Sequence, residues 1–397
     1  MTPPVLAVVM GVVFFATMAG YALFAGADFG GGIWDLLAGG AERGERPRKA
    51  IDDSVTPVWE GNNVWVVLGL VVFWTAFSPA FAATFTALFV PLALSLLGIL
   101  FRGIGFAFRH EAERLPMKRL SGALFAASSV MAPFFLGTAV GAIATGRVPA
   151  RPGGNVWSAW TTPTALVTGA LFVSACAYIA GVYLVADSDR RSQPDLVRYF
   201  QRRAVAAGVL TGALALLNMV LLRSSARYLW DRLWGPALPA VLVSVVAGAV
   251  ALALIVLNRP HLVRVAAALA VIGVVAGWGI AQYPWLLPGQ LTLAQGSAPT
   301  TALAAELAVM GLAALLVLPS FGYLYWLQQH GRLQDTESSE ELKRAVAAEN
   351  RADAEDGGDG GVAVRRGTHP VVVAAVLGAA VAELVRDLAA AVLRRRR

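Results

Sequence analysis

The chain has 397 residues, 57% of them hydrophobic and only 14% charged, a balance that excludes a water-soluble globule. Its net charge of +7 would suit nucleic acid, but the basic residues lie in short loops between apolar runs and in the tail, so no nucleic-acid partner is expected. The single cysteine, Cys176, excludes an intrachain disulfide framework.

Nine apolar segments follow in chain order, at about 5–37, 55–78, 81–108, 120–144, 163–186, 204–223, 237–257, 265–283 and 302–328. Each reaches the ~20 residues that a helix needs to cross the hydrocarbon core. Backbone groups in lipid must be satisfied within the segment, so all nine are expected to be helical. The first segment has no basic region ahead of it and reads as a transmembrane helix, not a cleaved signal peptide. Its glycine-rich end, "GADFGGGIWDLLAGG", suits a close helix approach or a bend. Only "SPA" separates the second and third segments, which predicts a tight helical hairpin.

With the N-terminus outside, 27 of the 32 basic residues fall on the cytoplasmic side. Without the tail the inner side still leads by 16 to 5, the outer five being Arg147, Arg151, Arg223, Arg227 and Arg232. Beyond residue 331 the chain turns acidic and glycine-rich, which reads as a flexible cytoplasmic linker over 331–368. Residues 369–397 then read as an interfacial amphipathic helix, with a tenth span as the alternative.

The four histidines, His110, His261, His330 and His369, all avoid the middle of a span. No pair of them can clamp a haem between helices, so if the chain belongs to a redox enzyme its cofactors are expected on another chain. Polar residues at membrane depth are costly and usually have a role. Here Asp28, Asp35, Asp52, Asp53, Glu60, Arg102 and Arg109 all gather at the inner ends of the first three segments.

In "TPVWEGNNVW", Glu60 lies about one turn into a helix, beside Asn62 and Asn63. It reads either as a carboxylate favoured by a helix N-terminus or as a proton carrier tuned by burial against an arginine. The adjacent amides, able to orient water, favour the second reading. Arg102 is expected to pair with Asp28 or Glu60, and Arg109 to snorkel at the interface. Asp28 is flanked by Gly26 and Gly30, a spacing that admits a partner helix. Glu306 reads as interfacial or partner-facing, and Trp59, Trp65 and Trp74 as packing or anchoring residues. A secondary transporter or ion exchanger using the carboxylates is the alternative, although its sites commonly lie at the midplane.

The blocks "GADFGGGIWDLL", "IDDSVTPVWEGNNVWVVLG" and "FTALFVPLALSLLGILFRGIGFAFRHE" resemble subunit II of cytochrome bd quinol oxidase, as does "YPWLLPGQLTLAQGSAPTTALAAELAVMGLAALLVLPSFGYLYW". The resemblance covers about residues 5–330. It implies an all-α integral membrane fold of nine transmembrane helices, with the N-terminus outside and the C-terminus cytoplasmic. Two four-helix bundles, 1–145 and 160–283, would be followed by an outer loop and ninth helix at 284–330.

It also implies a subunit that binds no cofactor or metal itself. Its partner would be a haem-bearing subunit I with two b-type haems and haem d, which oxidises quinol and reduces dioxygen to water. Membrane lipids and small accessory subunits complete the expected partners. The acid at Glu60 is linked by the resemblance to proton uptake, and Asp28 and Arg102 match family positions. Asp53 and Asn63 join the expected proton path, with Arg102 and Arg109 as ion-pair or structural residues. The chain departs from the family at Ala25 and Ala107, where many members carry acids. A proton route would then lean on Glu60, Asp28 and bound water, or run elsewhere, including through subunit I.

Overall fold

The computed structural model describes residues 4–55, 59–111, 115–151, 153, 155–257 and 259–329. Within the described helices, the side chains of residues 41, 42, 55, 59, 60, 106–111, 115–120, 260, 261, 325, 328 and 329 are not among those described. The expected linker and amphipathic helix at 331–397 lie outside the described residues.

The described chain is helical apart from one small hairpin. A long first helix, α1 (Val5–Leu36), is followed by α2 (Ala41–Val55), a single turn α3 (Trp59–Asn62), α4 (Val64–Ala76) and α5 (Ser78–Ala87). Then come α6 (Phe89–Glu111), α7 (Leu115–Ala144), α8 (Pro163–Arg190), α9 (Pro194–Ser225) and the short α10 (Arg227–Leu233). The helices α11 (Leu238–Val256) and α12 (Pro260–Gln282) lead into an antiparallel hairpin of β1 (Trp285–Leu287) and β2 (Leu291–Thr292). The turn α13 (Leu293–Gly296) and the helix α14 (Thr300–Gln329) complete it.

Among the described residues, seven helices are long and apolar enough to cross a bilayer: α1, α7, α8, α9, α11, α12 and α14. The bent pair α4–α5 would make an eighth crossing if it acts as one, and the apolar part of α6, Phe89–Gly105, is shorter.

The expected hairpin at "SPA" is replaced by a corner. The helices α4 and α5 meet at 116°. Phe77 between them leaves helical geometry (φ −135°, ψ 46°), and Pro79 sits in the first turn of α5, where its missing N–H costs nothing. A second break at Leu88 separates α5 from α6, so the third apolar segment is two helices. Phe77 and Leu88 are both fully buried, which holds the two corners in place.

Residues 41–52, expected as a loop, belong to α2. Gly44, Pro47, Ala50 and Ile51 are buried, a helical spacing that seats one face while the charges point outward. That helix is tied down by ion pairs from Arg48 to Asp35 (3.1 Å), Arg46 to Asp195 (2.7 Å) and Arg191 to Asp53 (2.8 Å). The centre of the fold is α8, which packs against α1, α7, α9 and α12.

Candidate functional site

The glycines of α1 bring α8 against it. At Gly30 a Cβ would stand 1.9 Å from the Cys176 main-chain oxygen, so only glycine allows this approach. The same stretch carries Asp28, which is buried in the C-terminal part of α1, a candidate span. On α6, Gly98 and Gly105 flank Arg102 on one face and let α7 approach, since a Cβ at either would come within 2.9 Å of α7 backbone. Arg102 is thereby enclosed, with only 5% of its surface exposed.

Three elements converge on Asp28. Its Oδ2 accepts a hydrogen bond of 2.7 Å from Asn62 Nδ2, at the end of α3. Arg102 Nη2 donates to the Asp28 main-chain oxygen at 2.6 Å, and Nη1 donates to Ser129 Oγ of α7, also at 2.6 Å. The guanidinium carbon lies 5.2 Å from the Phe29 ring centre and 4.6 Å from that of Phe125. Ser129 Oγ in turn donates a hydrogen bond to the Phe125 main-chain oxygen at 2.6 Å. Arginine and carboxylate attract one another across this arrangement. The cation therefore meets Asp28 through its backbone, while the carboxylate takes an amide.

The other sequence candidates separate from this group or fall beyond it. Asp53 belongs to α2 and is held by Arg191. Asp35, buried at the end of α1, is held by Arg48. Asn63 is the residue between α3 and α4, half-buried and with helical backbone angles. The side chains of Glu60 and Arg109 lie outside the described residues. Glu306 accepts a short hydrogen bond from Thr75, which links α14 to α4. Among the described residues no three His, Cys, Asp or Glu side chains come together as a metal site.

Sequence reasoning passed over Asn62 and Ser129 as partners. A signal for the first was present. Asn62 lies seven residues before Gly69, so both share the helix face that meets α1, whereas Asn63 shares a face with the exposed Leu70. Ser129 follows from need, since a buried guanidinium requires acceptors. Tyr21, two turns from Asp28 on α1, is also buried, and its hydroxyl has no partner among the described residues.

Comparison with known proteins agrees with this fold. The family model described as "Cytochrome bd terminal oxidase subunit II" matches residues 6–328. A Bacillus subtilis protein named cytochrome bd ubiquinol oxidase subunit 2 is 26% identical over 118 residues, which is 30% of this chain and 34% of the relative. A second Bacillus subtilis protein, provisionally named as a cytochrome bd menaquinol oxidase subunit II, is 23% identical over 339 residues, 81% of this chain and 93% of its own length. A chain in the structure of bd oxidase from Geobacillus thermodenitrificans superposes with a TM-score of 0.67 at 22% identity, covering 82% of this chain and 98% of that one, and so shares its fold. This multi-pass membrane chain belongs to the cytochrome bd terminal oxidase subunit II family.

Proposed function

We propose that the chain is the haem-free membrane subunit of a bd-type quinol oxidase, an oxidoreductase complex of the prokaryotic plasma membrane. In this reading the partner, subunit I, carries two b-type haems and haem d and couples quinol oxidation to the reduction of dioxygen to water. The present chain stabilises that partner and contributes a path for protons from the cytoplasm. The scarcity of histidines within its spans supports the absence of haem here. The positive-inside bias supports an outer N-terminus, nine crossings and a cytoplasmic C-terminus, with bundles at 1–145 and 160–283, an outer loop and ninth helix at 284–330, a linker at 331–368 and an interfacial helix at 369–397.

The observation that carries the proton role is the buried carboxylate of Asp28, held by the Asn62 amide with Arg102 against its backbone. An acid inside a span is expensive and is kept where it does something. Glu60, one residue before the Gly61–Asn62 end of α3, would deliver protons to it, with Asn63 and Asp53 at the approach. Family membership leaves the ion-exchanger reading without support.

The test is quinol-driven oxygen consumption by the purified complex, normalised to haem content. Asp28→Asn and Glu60→Gln are each expected to slow turnover about tenfold or more. Full turnover by both variants, with haem intact, would reduce these acids to packing roles.

A further inference from the structure

A small, open cleft of about 50 Å³ lies where α8 and α11 end and α9 and α12 begin. Its floor is apolar, formed by Val185, Val197, Leu254 and Val263, and its rim carries one acid, Asp189, and one base, Arg259. Both rim side chains are exposed, and neither makes a side-chain hydrogen bond or ion pair among the described residues. The neighbouring charges behave differently: Asp187 is held by both Arg190 and Arg264, and Asp53 by Arg191.

The rim charges also oppose the helix ends they occupy. Asp189 stands in the last turn of α8, where the partial negative charge of the helix disfavours an acid. Arg259 is the N-cap of α12, where the partial positive charge disfavours a base. Two uncompensated charges of opposite sign, on an apolar floor at the boundary of the membrane, match a ligand that brings a cation and an anion together. On either side of Arg259 in the chain, Leu257, Leu262 and Val265 are 68%, 64% and 58% exposed, an apolar surface open to acyl chains.

We propose that this cleft binds a zwitterionic phospholipid of the phosphoethanolamine type. Its ammonium meets Asp189, its phosphate meets Arg259, and its acyl chains lie along this apolar surface. An anionic phospholipid would set its phosphate on Arg259 but leave Asp189 unanswered. Inorganic phosphate would have no use for the apolar surface. The proposal is independent of the proton path.

Native mass spectrometry of the delipidated, assembled complex tests it, after incubation with equal amounts of phosphatidylethanolamine and phosphatidylglycerol, with and without inorganic phosphate. The wild type is expected to retain phosphatidylethanolamine preferentially, with phosphate failing to displace it. Asp189→Asn is expected to lower that retention about fivefold without lowering phosphatidylglycerol, and Arg259→Gln to lower both. The mass of the intact complex in the same spectra reports whether each variant assembles. Equal retention by wild type and both variants, a wild-type preference for phosphatidylglycerol, or displacement by phosphate alone would overturn the assignment.

Discussion

Gly30→Ala probes the contact on which the position of Asp28 depends. The added Cβ would stand 1.9 Å from the Cys176 main-chain oxygen and 2.5 Å from the Ala180 Cβ. Non-bonded atoms of this kind settle at ~3.5 Å, so α1 and α8 must part by more than an ångström. The obstacle is main chain and cannot rotate aside. Overpacking costs ~1–3 kcal/mol, and an overlap this deep belongs at the upper end. Alanine returns ~1 kcal/mol of helix propensity, leaving a net loss of ~2 kcal/mol. Gly26→Ala, one turn earlier, is the control, because its Cβ would meet Cys176 Sγ at an ordinary 3.5 Å. The assay is thermal aggregation of the purified complex in detergent, with the visible haem spectrum as a check on assembly. Gly30→Ala is expected to melt below the wild type and Gly26→Ala at or above it. A Gly30→Ala complex as stable as the wild type would refute the close α1–α8 approach, and with it the enclosure of Asp28.

Two further substitutions test the site itself. Arg102→Lys keeps the charge but cannot bridge Ser129 and Asp28 in the same fork or lie flat between Phe29 and Phe125; a loss of ~2–3 kcal/mol is expected in the same thermal assay, and an unshifted transition would contradict the bonding described. Tyr21→Phe removes a buried hydroxyl that has no partner among the described residues, so the complex is expected to be as stable as the wild type or more stable by ~1 kcal/mol. A clear destabilisation would show that this hydroxyl is engaged in the assembled enzyme.

Much of this was readable from residue type alone, because a charge inside an apolar run announces itself. Asp28 and Arg102 stood out on that ground, and they do meet, though through the Asp28 main-chain oxygen and not as the ion pair expected. What the linear pattern could not supply was direction and distance. Asn62 and Asn63 are adjacent and chemically identical, and only the packing of the helix face shared with Gly69 gives the first of them to Asp28. Asp53 finds Arg191 across 138 residues, a pairing no local pattern encodes. The helix α2 was hidden by its charges and by Pro47, since a short amphipathic helix on a membrane protein resembles a loop in composition. At Phe77 a proline that opens a new helix also suits a turn, and the apolar run on both sides masks the corner.

The glycine face of α1 has a consequence for how the protein is made. Helices enter the bilayer in chain order, so α1 arrives long before α8 can cover Gly30. Asp28 rides on that helix, ahead of Asn62, Arg102 and Ser129, each contributed by a later element. Its surroundings are completed stepwise: an amide first, then a cation, then the hydroxyl that orients the cation, and last the backbone of α8. A chain stalled before α8 would hold a carboxylate and a bare glycine seam open to lipid. That makes the insertion of α8 the step that closes the glycine seam and completes the surroundings of Asp28.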